Sequence, residues 1–137
     1  MNPKYWICIA ALSGAMAVAI GAYHAHGLAK RLTARGVEGE QFTKRMDNGE
    51  IAVRYQAVHS VALLAVAALA ARTNQRRLYS WSQGLFVLGM TFFSGGLYLF
   101  TFTGQIGHWA IVPSGGLCLM LAWIVLAAAA ITSGDAT

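Results

Sequence analysis

The stretch that decides the fold is Leu85–Gly116, LFVLGMTFFSGGLYLFTFTGQIGHWAIVPSGG. It contains no Asp, Glu, Lys or Arg, and seven of its residues are glycine. In water these glycines would weaken a helix, because each costs about 1 kcal/mol relative to alanine. In a bilayer they instead let helix backbones approach closely, so that dispersion and polar contacts hold the helices together. The stretch therefore predicts one membrane helix, a short uncharged turn and the entry to a second helix.

The composition of the whole chain also indicates a membrane protein. Of its 137 residues, 57% are hydrophobic and only 11% are charged, whereas charged residues make up about 25% of a soluble domain. The net charge of +5 does not indicate nucleic-acid binding, since the cations lie at the ends of apolar runs, where membrane topology explains them. Cys8 and Cys118 lie inside apolar runs and lack the spacing of a zinc site, so no metal site is predicted.

Four apolar runs are long enough to cross the hydrocarbon core, which takes about 20 helical residues. They predict transmembrane helices over residues 5–23, 53–71, 79–102 and 111–131. The polar stretch 28–51 between the first two admits two interpretations, segments lying in the membrane interface or a solvated loop. Within it, Asp47 followed by Glu50 is typical of a helix start. The predicted fold is all-α, a single polytopic domain of four transmembrane helices with an interfacial segment between the first and second.

Antiparallel neighbouring spans would place both termini and the turn at 72–77 on one side of the membrane. The polar stretch 28–51 and the turn at 103–110 would lie on the other side. The positive-inside rule counts cations in short loops, and the five Lys and Arg residues of 28–51 outnumber the three of 72–77. The count alone therefore favours the side of 28–51 as cytoplasmic. The turn at 103–110 on that side has no cation, however, and the cations of 72–77 are the more densely clustered, so we expect both termini to be cytoplasmic.

Small residues at helical spacing mark the faces that are expected to pack against other helices. In the first span Ser13, Ala17 and Gly21 recur every four residues, which is the spacing of close helix contacts in membranes. The third and fourth spans add Thr91, Gly95, Gly96, Gly115 and Gly116.

The topology brings polar residues of the first two spans to one side of the membrane. The candidate polar site comprises His24, His26, Tyr55, Gln56 and His59. Ionisable residues within a membrane are costly and are functional candidates, although a structural hydrogen bond across helices is the simpler explanation of His59. His24 and His26 point about 200° apart on a regular helix, so one is expected to face the bundle and the other the interface.

Other chemistry is not indicated by the sequence. Metal or two-histidine haem ligation by His26 and His59 would need further ligands or cues that are missing, so no cofactor is predicted. His108 beside Trp109 is most simply an interfacial residue. No predicted span contains Asp or Glu, which weakens the case for a cation-coupled pump. No catalytic triad, phosphate loop or carboxylate pair is present, so an enzyme is not expected.

Four segments resemble a known family. They are GAYHAHGL (21–28), RYQAVHSVALL (54–64), FFSGGLYLFTFTG (92–104) and VPSGG (112–116), followed by Trp123. In this order they are similar to the small four-helix membrane proteins of domain-of-unknown-function family 423, over about residues 10–126. The family usually has GAFGAHGL, YHALALL, FSGSLY and PIGG, so His26 and His59 match its histidines. The departures are His24, Ser60, Gly96 and Ser114. The resemblance implies a location in the bacterial inner (plasma) membrane, but no reaction.

Two functional hypotheses follow. In the first, the chain is an accessory, assembly or structural subunit that packs in a larger membrane complex or a homo-oligomer, because small residues far outnumber candidate catalytic ones. In the alternative, it is a binding or transport module whose His26, His59, Tyr55 and Gln56 line a pocket for a proton, a metal or a quinone head group. The expected partners are the lipid bilayer and other membrane subunits or a second copy of the chain.

Overall fold

The structure is a computed structural model that describes residues 3–73, 76–105 and 107–132. It consists of long helices: α1 (Pro3–Tyr23), a π-helical turn (His24–Leu28), α2 (Ala29–Ala34), α3 (Gly39–Ala70), α4 (Arg76–Thr103) and α5 (Ile111–Thr132). The π-helical turn joins α1 and α2 into one continuous helical segment. With α3, α4 and α5 this makes four helical segments long and apolar enough to span a membrane, and the described ranges contain no strand. The predicted all-α membrane fold is thereby confirmed.

The polar stretch 28–51 is helical except for the reversal at residues 35–38. Gly36 and Gly39 have φ angles of +69° and +60°, which glycine adopts without steric cost, and they allow one helix to end and the next to begin. The helix start expected near Asp47 is therefore wrong, as is a solvated loop over the whole stretch. Instead, Glu50 pairs with Arg54 on the surface of α3, one of the four-residue pairs that support helices.

The reversal turns α2 and the start of α3 into a helical hairpin. Leu28 and Leu32 are each 1% exposed, and the π-helical turn and α2, to which they belong, both contact α3. Burial of these two apolar side chains favours the folded hairpin. The first two membrane helices are therefore longer than the predicted spans 5–23 and 53–71, and they continue into the polar stretch.

Helices α3 and α4 form the centre of the molecule. They pack directly on one another, while α1 packs on α3 and α5 packs on α4. The core between them contains the fully buried Leu63 and Phe86. The most apolar part of the first span is only 17% buried, compared with 44% for that of α3. The two outer helices therefore present most of their apolar surface to lipid.

Glycines allow α4 and α5 to approach at backbone distance. A Cβ atom at Gly115 would collide with the backbone nitrogen of Phe93 and would lie 2.8 Å from the carbonyl carbon of Phe92. A Cβ at Gly89 would lie 3.0 Å from the backbone nitrogen of Leu119. Such close contact between helices is typical of membrane proteins, where dispersion replaces the hydrophobic effect as the packing force.

The other small residues expected at contacts divide into two groups. Gly96 lies against Val112, Ala17 is 1% exposed, and Gly21 lies against Val53 of α3. Gly116 makes only ordinary contact with the ring of Phe93. In contrast, Gly95 has no atom within 4 Å of its Cβ position, and Thr91 is exposed. The Thr91–Gly95 face of α4 is thus open, whereas the other small residues are used inside the molecule.

We expect Gly115→Ala to destabilise the protein and the neighbouring Gly116→Ala to have little effect. The methyl group at 115 meets backbone that cannot move aside, so overpacking should cost about 1–3 kcal/mol. At 116 the nearest atoms lie 3.6 Å away, at ordinary contact distance. Thermal unfolding in detergent, followed by loss of the monodisperse chromatographic peak, measures the difference. Equal midpoints for the two variants would contradict the close contact.

Candidate functional site

The main polar cluster of the bundle connects α1, α3 and α4, and we call it the Gln56 cluster (Ser13, Gln56, Ser60 and Tyr98). The Tyr98 hydroxyl donates to Gln56 Oε1 at 2.7 Å, and Gln56 Nε2 donates to the carbonyl oxygen of Ser13 at 3.0 Å. The Ser60 hydroxyl contacts Ser13 Oγ at 2.8 Å and the backbone carbonyl oxygen of Gln56 at 2.7 Å. Gln56 is 2% exposed and Ser60 is 3% exposed, whereas Ser13 and Tyr98 are partly buried.

The bonding pattern fixes the orientation of the Gln56 carboxamide. The Ser13 carbonyl oxygen can only accept a hydrogen bond, so the carboxamide nitrogen must face it. The carboxamide oxygen then faces Tyr98, whose hydroxyl must donate. The Gln56 carboxamide therefore joins the three helices through two hydrogen bonds whose directions are determined by the chain itself.

A groove runs beside this cluster, between α1 and α4, and we call it the α1–α4 groove. Its volume is about 420 Å³, and its walls are mostly apolar side chains. Gln56, Ser94 and Tyr98 provide polar atoms along it. The Ser94 hydroxyl is buried and has no hydrogen-bond partner among the described residues.

His59 lies on the other side of the central pair, next to α5. Its Nδ1 donates to the Tyr55 carbonyl oxygen at 2.7 Å, and the indole nitrogen of Trp123 donates to its Nε2 at 3.4 Å. Because the indole can only donate and the carbonyl can only accept, these contacts require a neutral ring with its proton on Nδ1. Both ring nitrogens of His59 are thus engaged by the protein, as expected for a structural histidine.

Aromatic rings surround His59 and line a second groove, between α3 and α5. Tyr55 stacks on His59 with centroids 5.7 Å apart, and Phe86 meets Trp123 edge-on at 5.1 Å. The groove has a volume of about 360 Å³ and is also lined by Phe93. Tyr55 is half-exposed at 41%. The arrangement is an aromatic wall around one histidine whose two ring nitrogens are both hydrogen-bonded.

The remaining histidines do not join His59. His24 Nε2 donates to the Met46 carbonyl oxygen at 2.8 Å, and its ring lies against Gly49. His26 and His108 are exposed. His59 follows Gly49 by ten positions on α3, which places it about 15 Å further along the helix. The polar face expected from the sequence is therefore divided, because α3 begins much earlier than predicted and His59 lies deep within it.

The candidate residues are consequently not gathered in one place. Gln56 belongs to the Gln56 cluster, Tyr55 and His59 line the groove beside α5, and His24 lies near the polar end of α3. His26 is exposed on the π-helical turn. Among the described residues no group of three His, Cys, Asp or Glu side chains is placed to hold a metal ion.

Arg45 is a buried residue whose position was not anticipated. It is 6% exposed, and its Nε donates to the Thr101 carbonyl oxygen at 2.8 Å. Its guanidinium also lies against Gly104, whose φ of +77° ends α4. The last carbonyls of a helix lack partners and carry partial negative charge. Arg45 therefore caps the C-terminal end of α4.

Other residues of the site were also missed, although the sequence contains a signal for some. Tyr98 lies in the interior of an apolar run rather than at its end, and a buried tyrosine hydroxyl usually has a partner. Gln83 is 1% exposed and neither of its amide atoms has a partner among the described residues. Polar residues inside apolar runs thus indicated the positions, but only the structure gives their contacts.

Comparisons with known proteins agree on one group of relatives. The profile of a family described as "Protein of unknown function (DUF423)" matches residues 20–116. The "UPF0382 membrane protein" of Haemophilus influenzae is 38% identical over 127 residues, which cover 93% of each chain. The "UPF0382 inner membrane protein YgdD" of Escherichia coli is 33% identical over 96% of this chain and 92% of its own. The "UPF0382 membrane protein YwdK" of Bacillus subtilis is 30% identical over 93% of this chain and 97% of its own. No significant match is found among solved structures.

We expect His59→Gln to lower stability while His26→Gln leaves it nearly unchanged. Glutamine cannot satisfy the Tyr55 carbonyl oxygen and the Trp123 indole in the same geometry, and a hydrogen bond in a membrane is worth about 0.6 kcal/mol, with a maximum near 1.7. His26 is exposed and should respond like an ordinary surface position, within about 0.5 kcal/mol. Thermal midpoints in detergent measure both variants. A larger effect at His26 than at His59 would contradict the structural role of His59.

Proposed function

The chain belongs to the DUF423 family of membrane proteins, and from that premise we propose that it is an accessory, assembly or structural subunit. It would act by packing against other membrane helices, in a larger complex or a homo-oligomer. Its relatives are named only as membrane proteins, which is consistent with a role that involves no reaction of its own.

The outward face of α1 is the observation that carries this proposal. Ala11, Ala15 and Ala19 recur every four residues and are all exposed. The stripe of Ser13, Ala17 and Gly21, by contrast, faces α3 inside the molecule. Small residues at this spacing allow another helix to approach at backbone distance. Helix α1 thus has one small-residue stripe for its own fold and a second for a partner.

The engagement of the polar residues also supports a packing role. Gln56 and His59 both form hydrogen bonds to other parts of the chain, and the Ser82 hydroxyl donates to the Ala122 carbonyl oxygen at 2.9 Å. A general acid or base must be able to reach a substrate proton. These side chains instead hold the helices together.

The alternative function, a pocket for a proton, a metal or a quinone head group, has weaker support. It requires His26, His59, Tyr55 and Gln56 to share one pocket. Gln56 lies beside the α1–α4 groove and His59 beside the α3–α5 groove, while His26 is exposed. Only Tyr55 and His59 remain together, and both nitrogens of His59 are occupied.

We further propose that the chain resides in the bacterial inner (plasma) membrane with both termini in the cytoplasm. The Escherichia coli relative is named an inner membrane protein. The short connection between α3 and α4 contains Arg72, and α4 begins with Arg76 and Arg77. Cations concentrated in a short loop favour the cytoplasmic side.

We expect Ala15→Leu to abolish association with partners while leaving the fold intact. The leucine would project from an exposed face, so lipid can accommodate it, but a partner helix could no longer approach. Ala127→Leu, at an alanine of α5 that is also exposed, is the matched control and should associate normally. Light scattering and native mass spectrometry in mild detergent give the mass of each assembly.

Two results would contradict the packing role. One is a wild-type protein that migrates in mild detergent as a bare monomer without any partner. The other is an assembly that survives Ala15→Leu as well as it survives Ala127→Leu. Either outcome would show that the outward face of α1 does not bind a partner helix.

The orientation is tested by single cysteines at Glu38 and Asn74 in a chain from which Cys8 and Cys118 have been removed. Glu38 is exposed in the hairpin reversal, and Asn74 belongs to the basic sequence 72–77. With cytoplasmic termini, a membrane-impermeant reagent should label position 38 in intact spheroplasts and position 74 only after lysis. The opposite pattern would reverse the orientation.

A further inference from the structure

We propose that Arg45, together with Arg35, binds the phosphate group of one ligand at the end of α4. The terminal nitrogens of Arg45 would hold two phosphate oxygens, and Arg35 would add a second positive charge. This site is separate from the alanine stripe of α1, and the proposal does not depend on the accessory role.

Arg45 carries a positive charge that the protein buries without a negative charge beside it. The residue is only 6% exposed, and neither of the two ion pairs of the described residues includes it. A buried charge without a partner of opposite sign is costly. The carbonyl oxygen of Thr101 offsets part of that cost through one hydrogen bond, but a carbonyl group is neutral overall. The site therefore lacks an anion.

The hydrogen bond to Thr101 leaves one edge of the guanidinium free. Nε makes that bond at 2.8 Å, and it is the one nitrogen of Arg45 that donates to another described residue. The terminal nitrogens Nη1 and Nη2 do not belong to the unpaired atoms that the described protein encloses completely, so a ligand can reach them. Their parallel N–H groups match the spacing of two oxygens of one phosphate.

Gly104 keeps this free edge in place and uncovered. Nη1 of Arg45 would lie 3.2 Å from a Cβ atom at position 104, so a side chain there would press on the guanidinium. The guanidinium is thus held between the Thr101 carbonyl oxygen and the backbone of Gly104. A group that is already fixed loses little conformational entropy when it binds a ligand.

Arg35 supplies the second positive charge. It follows the last residue of α2 and is exposed, and it lies close enough to Arg45 for their two positive charges to repel each other. Like charges held near each other are unfavourable, and an anion bound to both of them would replace the repulsion by attraction. No carboxylate of the described residues pairs with Arg35, so its side chain is available.

The depth of the site in the membrane indicates a phosphate as the anion. The guanidinium lies at the last turn of α4, where the apolar run of that helix ends at Phe102. Trp109, which is 76% exposed, follows in the connection to α5, and such tryptophans are typical of the membrane interface. Lipid phosphates belong to the same headgroup layer. The phosphate would come from a phospholipid or from inorganic phosphate in the adjacent water.

The test uses the full-length protein, delipidated in mild detergent, and three probes: phosphatidylglycerol, a diacylglycerol with the same acyl chains, and inorganic phosphate. Native mass spectrometry measures the fraction of chains that carry one lipid as its concentration rises. The thermal midpoint, compared with chloride at equal ionic strength, measures stabilisation by inorganic phosphate. We expect a saturable effect of phosphatidylglycerol, of inorganic phosphate or of both, and none of the diacylglycerol, which lacks the phosphate.

The variants test the two arginines. Arg35→Gln should weaken binding by about fivefold, the effect of one cation beside a lipid phosphate. Lys30→Gln is the matched control, because it removes the same charge from another exposed position of α2, and its affinity should equal that of the wild type. Arg45→Lys keeps the charge but has no planar pair of nitrogens, so it should weaken binding by at least about tenfold.

The outcomes either assign the source of the phosphate or reject the site. Saturable binding of phosphatidylglycerol alone identifies a phospholipid headgroup, and saturable stabilisation by inorganic phosphate shows that the free anion is sufficient. Absence of both effects overturns the proposal, as does binding of the diacylglycerol as tight as that of phosphatidylglycerol. Equal affinity of Arg35→Gln and Lys30→Gln, or undiminished binding by a folded Arg45→Lys, also overturns it. If Arg45→Lys does not fold, the comparison of Arg35→Gln with Lys30→Gln decides.

Discussion

The close contact between the backbones of α4 and α5 is the constraint on which the rest of the structure depends. Lipid removes most of the hydrophobic driving force between helices, so their association relies on dispersion between many atom pairs. That attraction weakens within an ångström of added separation. The hydrogen bond from Ser82 to the Ala122 carbonyl oxygen and the position of Trp123 beside His59 both depend on this approach. Glycine at 115 is therefore a condition for the polar contacts of α5 and for its packing.

A second consequence of the lipid environment is the way the chain uses its polar residues. Gln56 links three helices, His59 links two, and Arg45 caps the end of α4. No water is available in the membrane interior, so the polar groups of Gln56 and His59 must be satisfied by the chain itself. The same residues would attract attention as catalytic candidates in a soluble protein. Here their hydrogen bonds within the chain direct functional hypotheses toward the surfaces and grooves of the molecule.

The fold class was predictable from the sequence, whereas the arrangement of the candidate site was not. Apolar runs of sufficient length identify membrane helices whatever their neighbours. The positions of Gly36 and Gly39 were visible, but sequence alone does not say that the chain reverses there rather than near Asp47. That difference places His59 deep within α3. Spacing along one helix also does not determine which neighbouring helix a side chain contacts. Gln56 and His59 are three residues apart on α3, yet Gln56 contacts α1 and His59 contacts α5. Arg45 could not be recognised as a cap because its acceptor is distant in sequence.

The direct packing of α3 on α4 limits what a single copy of the chain can do. The two helices occupy the middle of the molecule, and α1 and α5 attach to their flanks. The α1–α4 groove and the α3–α5 groove therefore lie on opposite flanks of the central pair. The packed central helices separate them, so a single copy of the chain offers two separate recesses rather than one shared pocket.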